Sequence, residues 1–568
     1  MDKTKENDFA GNGGYISKLI FNNGQIVDIN ENDIVVFVGP NNVGKSQSLK
    51  DIYELCESKK PSTVVADVEI VKYNDSLEEY LNSVSDINDH GEYKDYSGLG
   101  YMFNSYSILD YKSDKYYGSA RSLFVACLNT LNRLTISDPA PMIPRKATKN
   151  HPIHYAAFDR KYRVWLAENF KKAFGKELIP YTLNGANIPL CIGDKVQFNK
   201  NFEDEQTRQE EYAAVLDTYR QVQDQGDGIK SFTGILLYLM LDYYSTFLID
   251  EPESFLHPPQ ANIMGRIIGN TLRANQQAFI STHSEEIIKG LLDVCPGRVK
   301  IIRITREENN NSFSILDNIK FNEVWNDPML KYSNIMTSLF HKEVILCESD
   351  SDCRMYSIIE RFLKEKSGMH SETLFIHCNG KHRMARIAMA LKTLNIQVKL
   401  VPDIDILNDK NVFKKVIEVF GIKWEDVNKE YQSIVSNLHS SKERIYRKEF
   451  KEAVLGVLVG SQEKELSKEE IKDIMAELRI ESKWENLKKS GISALPRGDA
   501  TVAFDKLNKK LKEARIFIVT VGELECFVKQ VGGHGPDWTN KVLEDYPDLN
   551  DEVYNSIKKF VRELCEIE

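Results

Sequence analysis

The run Asp33-Ile34-Val35-Val36-Phe37-Val38, followed at once by Gly39-Pro40-Asn41-Asn42-Val43-Gly44-Lys45-Ser46, sets the reading of the first half of the chain. The apolar, β-branched run is expected to be a buried strand. The next eight residues satisfy G-x-x-x-x-G-K-[ST], the spacing of a phosphate-binding loop, and a helix is expected over Lys45–Cys56. The residue types supply the chemistry. Glycines let the backbone wrap closely, so that N–H groups converge on phosphate oxygens, and the helix N-terminus adds partial positive charge. Lys45 would reach the β- and γ-phosphates and Ser46 would ligate Mg²⁺. Gly39, Asn42, Gly44, Lys45 and Ser46 are therefore candidate nucleotide-binding residues.

Two further strand tips fit the same site. Thr246–Pro252 reads TFLIDEP, an apolar strand ending in two carboxylates. Asp250 would hold the metal through water, and Glu251 would orient or deprotonate the attacking water. Phe279–Ser284 reads FISTHS, which would bring His283 to the γ-phosphate. The order GPNNVGKS, LIDEP, STHS resembles the ABC-type ATPase heads of the SMC group over residues 15–335, with an insertion in the middle. That resemblance implies ATP clamped between two heads, a serine-glycine signature of one touching the γ-phosphate of the other. Gln225-Gly226-Asp227-Gly228 stands at the corresponding place, with the glycines but without the serine. Glu253 and His257, in EPESFLHP, lie in the segment that helps form the dimer contact in such heads.

The second half carries a different chemistry. Glu343–Asp352 reads EVILCESDSD: an apolar strand ends at Glu348, with Asp352 at the start of a helix expected over Cys353–Lys364. A strand at Thr373–His377 leads into Cys378-Asn379-Gly380-Lys381. A strand at Val398–Val401 leads into Asp403-Ile404-Asp405, whose two aspartates share one side of an extended segment. A fourth strand, Ile516–Thr520, leads into Gly522-Glu523-Leu524-Glu525. The C-terminal tips of parallel strands lie side by side, where α/β ligand sites gather. Carboxylates crowded there repel one another and resist burial unless divalent cations offset their charge. Oxygen-only donors favour Mg²⁺ or Mn²⁺ over zinc. A pair of such ions activates water and stabilises the leaving oxygen of a phosphodiester.

A Glu after the first strand and Asp-x-Asp after the third resembles the TOPRIM domain, although Ser349 stands where that pattern has glycine. An ABC head followed by TOPRIM resembles the OLD family of ATP-dependent nucleases, which includes Gabija and retron-associated anti-phage effectors. The resemblance implies that Glu348, Asp352, Asp403, Asp405 and Glu525 are metal ligands of a catalytic site. It adds Glu523 beside Glu525, and makes Lys529 the candidate for a phosphate-contacting lysine. In the head it implies metal contacts from Ser46 and Asp250 and a catalytic role for Glu251. It further implies ATP and Mg²⁺ (or Mn²⁺) as cofactors, DNA as substrate, a homodimer or higher homo-oligomer, a defence-system partner protein or retron RNA/DNA, and a place in phage defence.

The expected architecture of the 568 residues is α/β throughout. An ABC-type head is expected from residues 1–75 and 221–335, around an irregular then helical segment at 76–220, the candidate dimerisation element. A TOPRIM parallel-sheet domain is formed by 343–406 and 515–568, around a helical insertion at 407–514. The boundary is expected at Asn334–Lys342. A net charge of −10 excludes a uniformly basic nucleic-acid coat and leaves local patches. The candidates are Arg145–Lys149, Arg160–Arg163 with His151, His154, Tyr155 and Tyr162, Lys442–Lys451, and Lys381–Arg386 beside the acidic tips. No apolar run is long enough to span a membrane, and the polar first residues lack the apolar segment of a secretory signal. Nine cysteines without a C-x-x-C pair suit a reducing cytoplasm. A second reading is an ATP-driven switch whose TOPRIM domain grips nucleic acid or a partner without cutting.

Overall fold

The computed structural model describes residues 13–73, 77–99, 101–198, 202–241, 244–308, 310–316, 327, 335–439, 447–459, 465–477 and 483–567. The chain divides into two compact units, residues 1–323 and 324–568. The division comes earlier than the Asn334–Lys342 link expected from sequence. Among the described residues no helix is long and apolar enough to cross a membrane.

The first unit is built on a six-stranded sheet. In chain order its strands are β1 (Ile34–Val38), β2 (Val125–Leu128), β3 (Thr246–Asp250), β4 (Gln277–Ser281), β5 (Val299–Glu307) and β6 (Asn310–Ile315), and their spatial order is β6-β5-β1-β4-β3-β2. Every pairing is parallel except the β5–β6 hairpin. All five residues of β1 and of β4 are buried, as strands covered on both faces require. Helix α1 (Lys45–Glu57) follows β1 and buries Leu49, Ile52, Leu55 and Cys56 against Val35, Phe37 and Phe279. Each such buried side chain contributes about 1.5–3 kcal/mol. A three-stranded antiparallel sheet, with Gly14–Phe21 between Ile26–Asp28 and Val65–Lys72, joins the same core, and Phe21 stacks on Phe313 of β6 at 3.9 Å.

Residues 76–220 are not simply an insertion. Their β2 pairs in register with β3, so Val125–Leu128 completes the edge of the central sheet. The rest of the segment holds a small antiparallel sheet (Asp86–Asp89, Lys94–Gly98, Tyr101–Asn104) and helices that include Arg160–Phe174 and Glu205–Asp217.

The second unit carries a parallel sheet of three strands, β7 (Glu343–Cys347), β8 (Thr373–His377) and β9 (Gln397–Val401), in the order β8-β7-β9. Helix α2 (Asp350–Lys366) follows β7. Its Met355, Tyr356 and Ile359 pack with Trp538, Val542, Ile557, Val561 and Leu564 of the last two helices. The expected fourth strand at 516–520 is only two isolated bridges, Leu400–Ile516 and Asp403–Val519. Pro402 explains the interruption, because it accepts a hydrogen bond from the Val519 N–H but has no N–H to return. The described residues of 407–514 include the helices Lys410–Val419, Asn428–His439, α3 (Lys483–Ser490) and Asp499–Glu513.

Candidate nucleotide and metal sites

The loop between β1 and α1 turns through three left-handed positions, Gly39 (φ 142°), Asn42 (φ 60°) and Gly44 (φ 99°). A side chain at position 39 would place its Cβ 2.1 Å from the Ile304 carbonyl oxygen of β5, so only glycine fits that approach. Gly44 caps α1 without any side-chain hydrogen bond, leaving the first N–H groups of the helix pointing into the loop. The Lys45 ammonium is buried and donates to the carbonyls of Gly39 (2.9 Å) and Pro40 (2.6 Å), curling back over the turn. Burial lowers its pKa to about 8, against the attraction of Glu251, Glu253 and Asp250. Asn42 is exposed and Ser46 half-buried in the first turn of α1. The loop fits a polyphosphate: a buried cation and uncapped helix N–H groups face the same turn.

The sheet order places β4 between β1 and β3, so three strand tips meet beside this loop. Asp250 accepts a hydrogen bond from the Ser281 hydroxyl across the β3–β4 register. Glu251 lies in the left-handed region (φ 47°), a conformation costing on the order of 1 kcal/mol or more for a residue with a Cβ. Two contacts hold it there. Its N–H donates to the Ser281 carbonyl (2.9 Å), and its own carbonyl accepts from Arg133 (3.2 Å). Arg133 is fully buried and also donates to the Asp250 carbonyl. The Glu251 carboxylate lies 3.6 Å from His283 Nε2. Burial lowers the His283 pKa, helped by the positive charge of Lys45. Glu253, expected in a dimer contact, has an intrachain partner: its carboxylate accepts from the His283 N–H at 2.7 Å. Burial raises the Glu253 pKa. Gly228 approaches the Phe255 carbonyl so closely that a Cβ would sit 2.5 Å away, which ties Gln225–Gly228 to the turn after Glu251. His257 is the exposed cap of the helix Pro258–Thr271.

In the second unit the strand tips also converge. Glu348, Asp403 and Asp405 each offer a carboxylate oxygen, and the three lie within 4.8 Å of one another. Glu348 Oε2 and Asp405 Oδ1 are buried with no hydrogen-bond partner among the described residues. Buried unpartnered carboxylate oxygens are costly, and a cation between them is the direct remedy. Burial and the Asp405 charge raise the Glu348 pKa. Burial, then Asp352 and Glu348, push Asp403 well above the usual carboxylate range. One cation already touches the group: Lys381 Nζ lies 2.9 Å from Asp405 Oδ2.

Glu525 belongs to a neighbouring group with Glu523 and His534, again within 4.8 Å. His534 Nδ1 lies 2.8 Å from Glu525 Oε1, and the Gly535 N–H donates to the same oxygen at 2.7 Å. Asp352 is not within either group. Its carboxylate folds back onto the Ser349 N–H (2.8 Å) while the Ser349 hydroxyl accepts from the Asp352 N–H, a capping box on α2. It still faces the others electrostatically: burial first, then the Glu525 charge, raises its pKa to about 6. His534, Lys488 and Arg133 were not legible as site residues; Lys488 and Arg133 are brought in from distant parts of the chain, and His534 folds back onto Glu525 from nine residues on. Lys529 is exposed.

The basic patches divide. His154 is buried with Nε2 on the Pro141 carbonyl, and His151 caps the helix Pro152–Phe158, its pKa lowered to about 4 by burial. Arg163 donates to the Ala156 and Ala157 carbonyls. These groups serve the fold. Residues 442–446 of the Lys442–Lys451 run lie outside the described residues. In Lys381–Arg386, Lys381 reaches Asp405 and Arg386 pairs with Asp327.

Comparison with known proteins follows the same division. The family described as "AAA domain, putative AbiEii toxin, Type IV TA system" matches residues 136–289, which include Asp250 and His283 and begin after the loop at 39–46. "Overcoming lysogenization defect protein-like, TOPRIM domain" matches residues 339–405. The Old nuclease of Escherichia phage P2 is 22% identical over 167 residues, a match that spans 28% of this chain and only 28% of that protein. Among solved structures, an SMC head bound to the C-terminal winged-helix domain of ScpA covers 55% of this chain and 100% of its own, at 12% identity and a TM-score of 0.34. The SMC head domain from Thermotoga maritima covers 54% and 99%, at 11% identity and a TM-score of 0.28. An AAA-domain match followed by an OLD-like TOPRIM match in one chain, with the Old nuclease as a partial relative, makes the chain similar to the OLD family of ATPase-TOPRIM nucleases.

Proposed function

We propose that this chain is a divalent-metal-dependent DNA endonuclease whose activity is governed by ATP at its head, acting as an anti-phage effector. The observation that carries the hydrolytic half is the convergence of Glu348, Asp403 and Asp405, two of whose buried oxygens lack partners among the described residues. Oxygen donors of this kind suit Mg²⁺ or Mn²⁺. Glu348, Asp403 and Asp405 would hold one ion, and Glu523 and Glu525, with His534, a second. Bound there, such ions lower the pKa of an attacking water and stabilise the leaving oxygen of the phosphodiester. Asp352 acts through the others, fixing the N-terminus of α2 beneath Glu348. Lys381 orients Asp405 through their ion pair.

In the head, Lys45 and the N–H groups of residues 39–46 would cradle ATP phosphates, with Ser46 and Asp250 towards its Mg²⁺. Glu251 orients the attacking water, and His283, 3.6 Å from Glu251, senses the γ-phosphate. Pairing of two heads would bring Gln225–Gly228 of one chain to the nucleotide of the other, so a homodimer is the working assembly. A defence-system protein or retron RNA/DNA is the further partner of this reading, and the cytoplasm its compartment.

A non-cleaving, ATP-driven binding switch is the rival. Two features favour it: Gln225 in place of a signature serine, and Asp352 held in a capping box. Incubation with supercoiled, linear and single-stranded DNA across Mg²⁺, Mn²⁺ and ATP separates the two. Metal-dependent cleavage that disappears in Asp403→Ala, while ATP binding survives, supports the nuclease. Nucleic-acid binding without cleavage under every condition refutes it.

A further inference from the structure

The helical insertion reaches the acidic site through Lys488. Lys488, in the last turn of α3, lies 3.2 Å from Glu523 Oε2, and its side chain is only 38% exposed. Its charge is also felt at Asp403, Asp405 and Glu348. The backbone of Lys488 and of the residues just after it is held by close contacts. Gly522 (φ 123°) approaches so closely that a Cβ there would sit 2.0 Å from the Lys488 carbonyl oxygen. Gly491, just after α3, meets the Thr520 carbonyl in the same way at 2.1 Å, and the Ile492 N–H donates to that carbonyl at 2.9 Å. The Cys526 thiol donates to the Lys489 carbonyl at 3.2 Å. Leu487 is fully buried and Trp484 nearly so, which anchors the rest of the helix. Two glycines on two segments are thus used to bring one lysine to the carboxylates.

The charges say what that lysine is for. An ammonium between two carboxylate groups is a counter-ion while those groups carry their full negative charge. Where divalent cations take over that charge, the same ammonium is repelled from the carboxylates, and the strongest remaining anion in reach is a backbone phosphate. Lys381 stands in the same relation to Asp405 on the other group, so among the described residues each acidic group is paired with a lysine. Lys488 differs in arriving from the insertion, on a rigid backbone with a flexible four-carbon arm.

Resting on the nuclease reading above, we propose that Lys488 is a substrate-positioning residue: through it the helical insertion grips a backbone phosphate of the nucleic acid beside the acidic site. The contact is to phosphate, so it carries no base preference. Lys488→Met and Lys488→Arg in the full chain test it, with binding of a fluorescent DNA duplex read by anisotropy in Ca²⁺ across a salt series and cleavage read in Mg²⁺. In Lys488→Met the KM should rise about tenfold, as for one lost charge-assisted contact, with kcat nearly unchanged. The slope of log affinity against log salt should fall by about one. Lys488→Arg should restore both. An unchanged salt slope with normal wild-type cleavage overturns the proposal and leaves the nuclease intact. So does a fall in kcat alone, which marks a structural or metal-holding role. A wild-type chain that binds DNA without cleaving it refutes the nuclease instead, and the salt slope still decides Lys488. A wild-type chain that binds no DNA refutes both.

Discussion

Neutralising Asp403 should stabilise the metal-free protein. The ligand oxygens of Glu348, Asp403 and Asp405 lie within 4.8 Å of one another. At that distance two carboxylates repel by about 3.5 kcal/mol at an effective dielectric of ~20. Asp403 takes part in two of the three pairs, so Asp403→Asn removes up to ~7 kcal/mol of repulsion. Proton uptake already relieves part of this, since Asp403 is pushed well above the usual carboxylate range by burial and its neighbours. Lys381, 2.9 Å from Asp405, relieves more. A net gain of about 1–3 kcal/mol remains, or several degrees in the melting temperature of a unit this size. Divalent ions reverse the order. At a hundred times Kd, Mg²⁺ adds about 2.7 kcal/mol to the wild type and little to the variant. The assay is thermal unfolding of both chains at pH 7, with EDTA and then with a Mg²⁺ series. A variant that is less stable in EDTA, and that gains as much from Mg²⁺ as the wild type, would refute the reasoning.

Three other outcomes are expected. Because burial holds Lys45 at about 8, ATP affinity should be flat below that pH and fall towards tenfold per unit above it, as the free ammonium loses its proton; a profile flat to pH 9.5 contradicts this. Asp352 is raised to about 6, so the folded state binds its proton more tightly than the unfolded chain. Its contribution is present below about pH 4 and lost as pH rises through 6; the metal-free wild type should therefore lose more stability from pH 5 to 7 than Asp352→Asn, in denaturant titrations. Arg133→Met strips the Asp250 and Glu251 carbonyls of a buried donor, costing about 2–4 kcal/mol; ATP hydrolysis should fall while ATP still binds, as read by phosphate release and equilibrium binding.

What was legible in the sequence is what local pattern controls. The strands ending at Val38, Asp250, Ser281, Cys347, His377 and Val401 are apolar runs with polar tips, and parallel pairing alone brings such tips to one edge. Val125–Leu128 was missed because four residues between helical stretches carry too little period to distinguish strand from helix. The interruption at 516–520 was readable in Pro402, whose missing N–H breaks the ladder. Asp352 illustrates a competing local signal: Ser349-x-x-Asp352 is also a capping box, and the helix terminus claims the carboxylate. Lys488 and Arg133 could not be found by pattern, because their roles arise from tertiary packing between segments far apart in the chain. The glycine-flanked setting of His534, Gly532-Gly533-His534-Gly535, was the one local hint.

The most direct measurement is a crystal structure of the chain grown with Mn²⁺, with data collected for the anomalous signal of manganese. The expected result is a peak roughly 2.0–2.3 Å from one oxygen each of Glu348, Asp403 and Asp405, the contact distance of such ions. Saturating Mn²⁺ with no peak among those three residues, or carboxylates turned away from a common point, would contradict the metal-dependent reading.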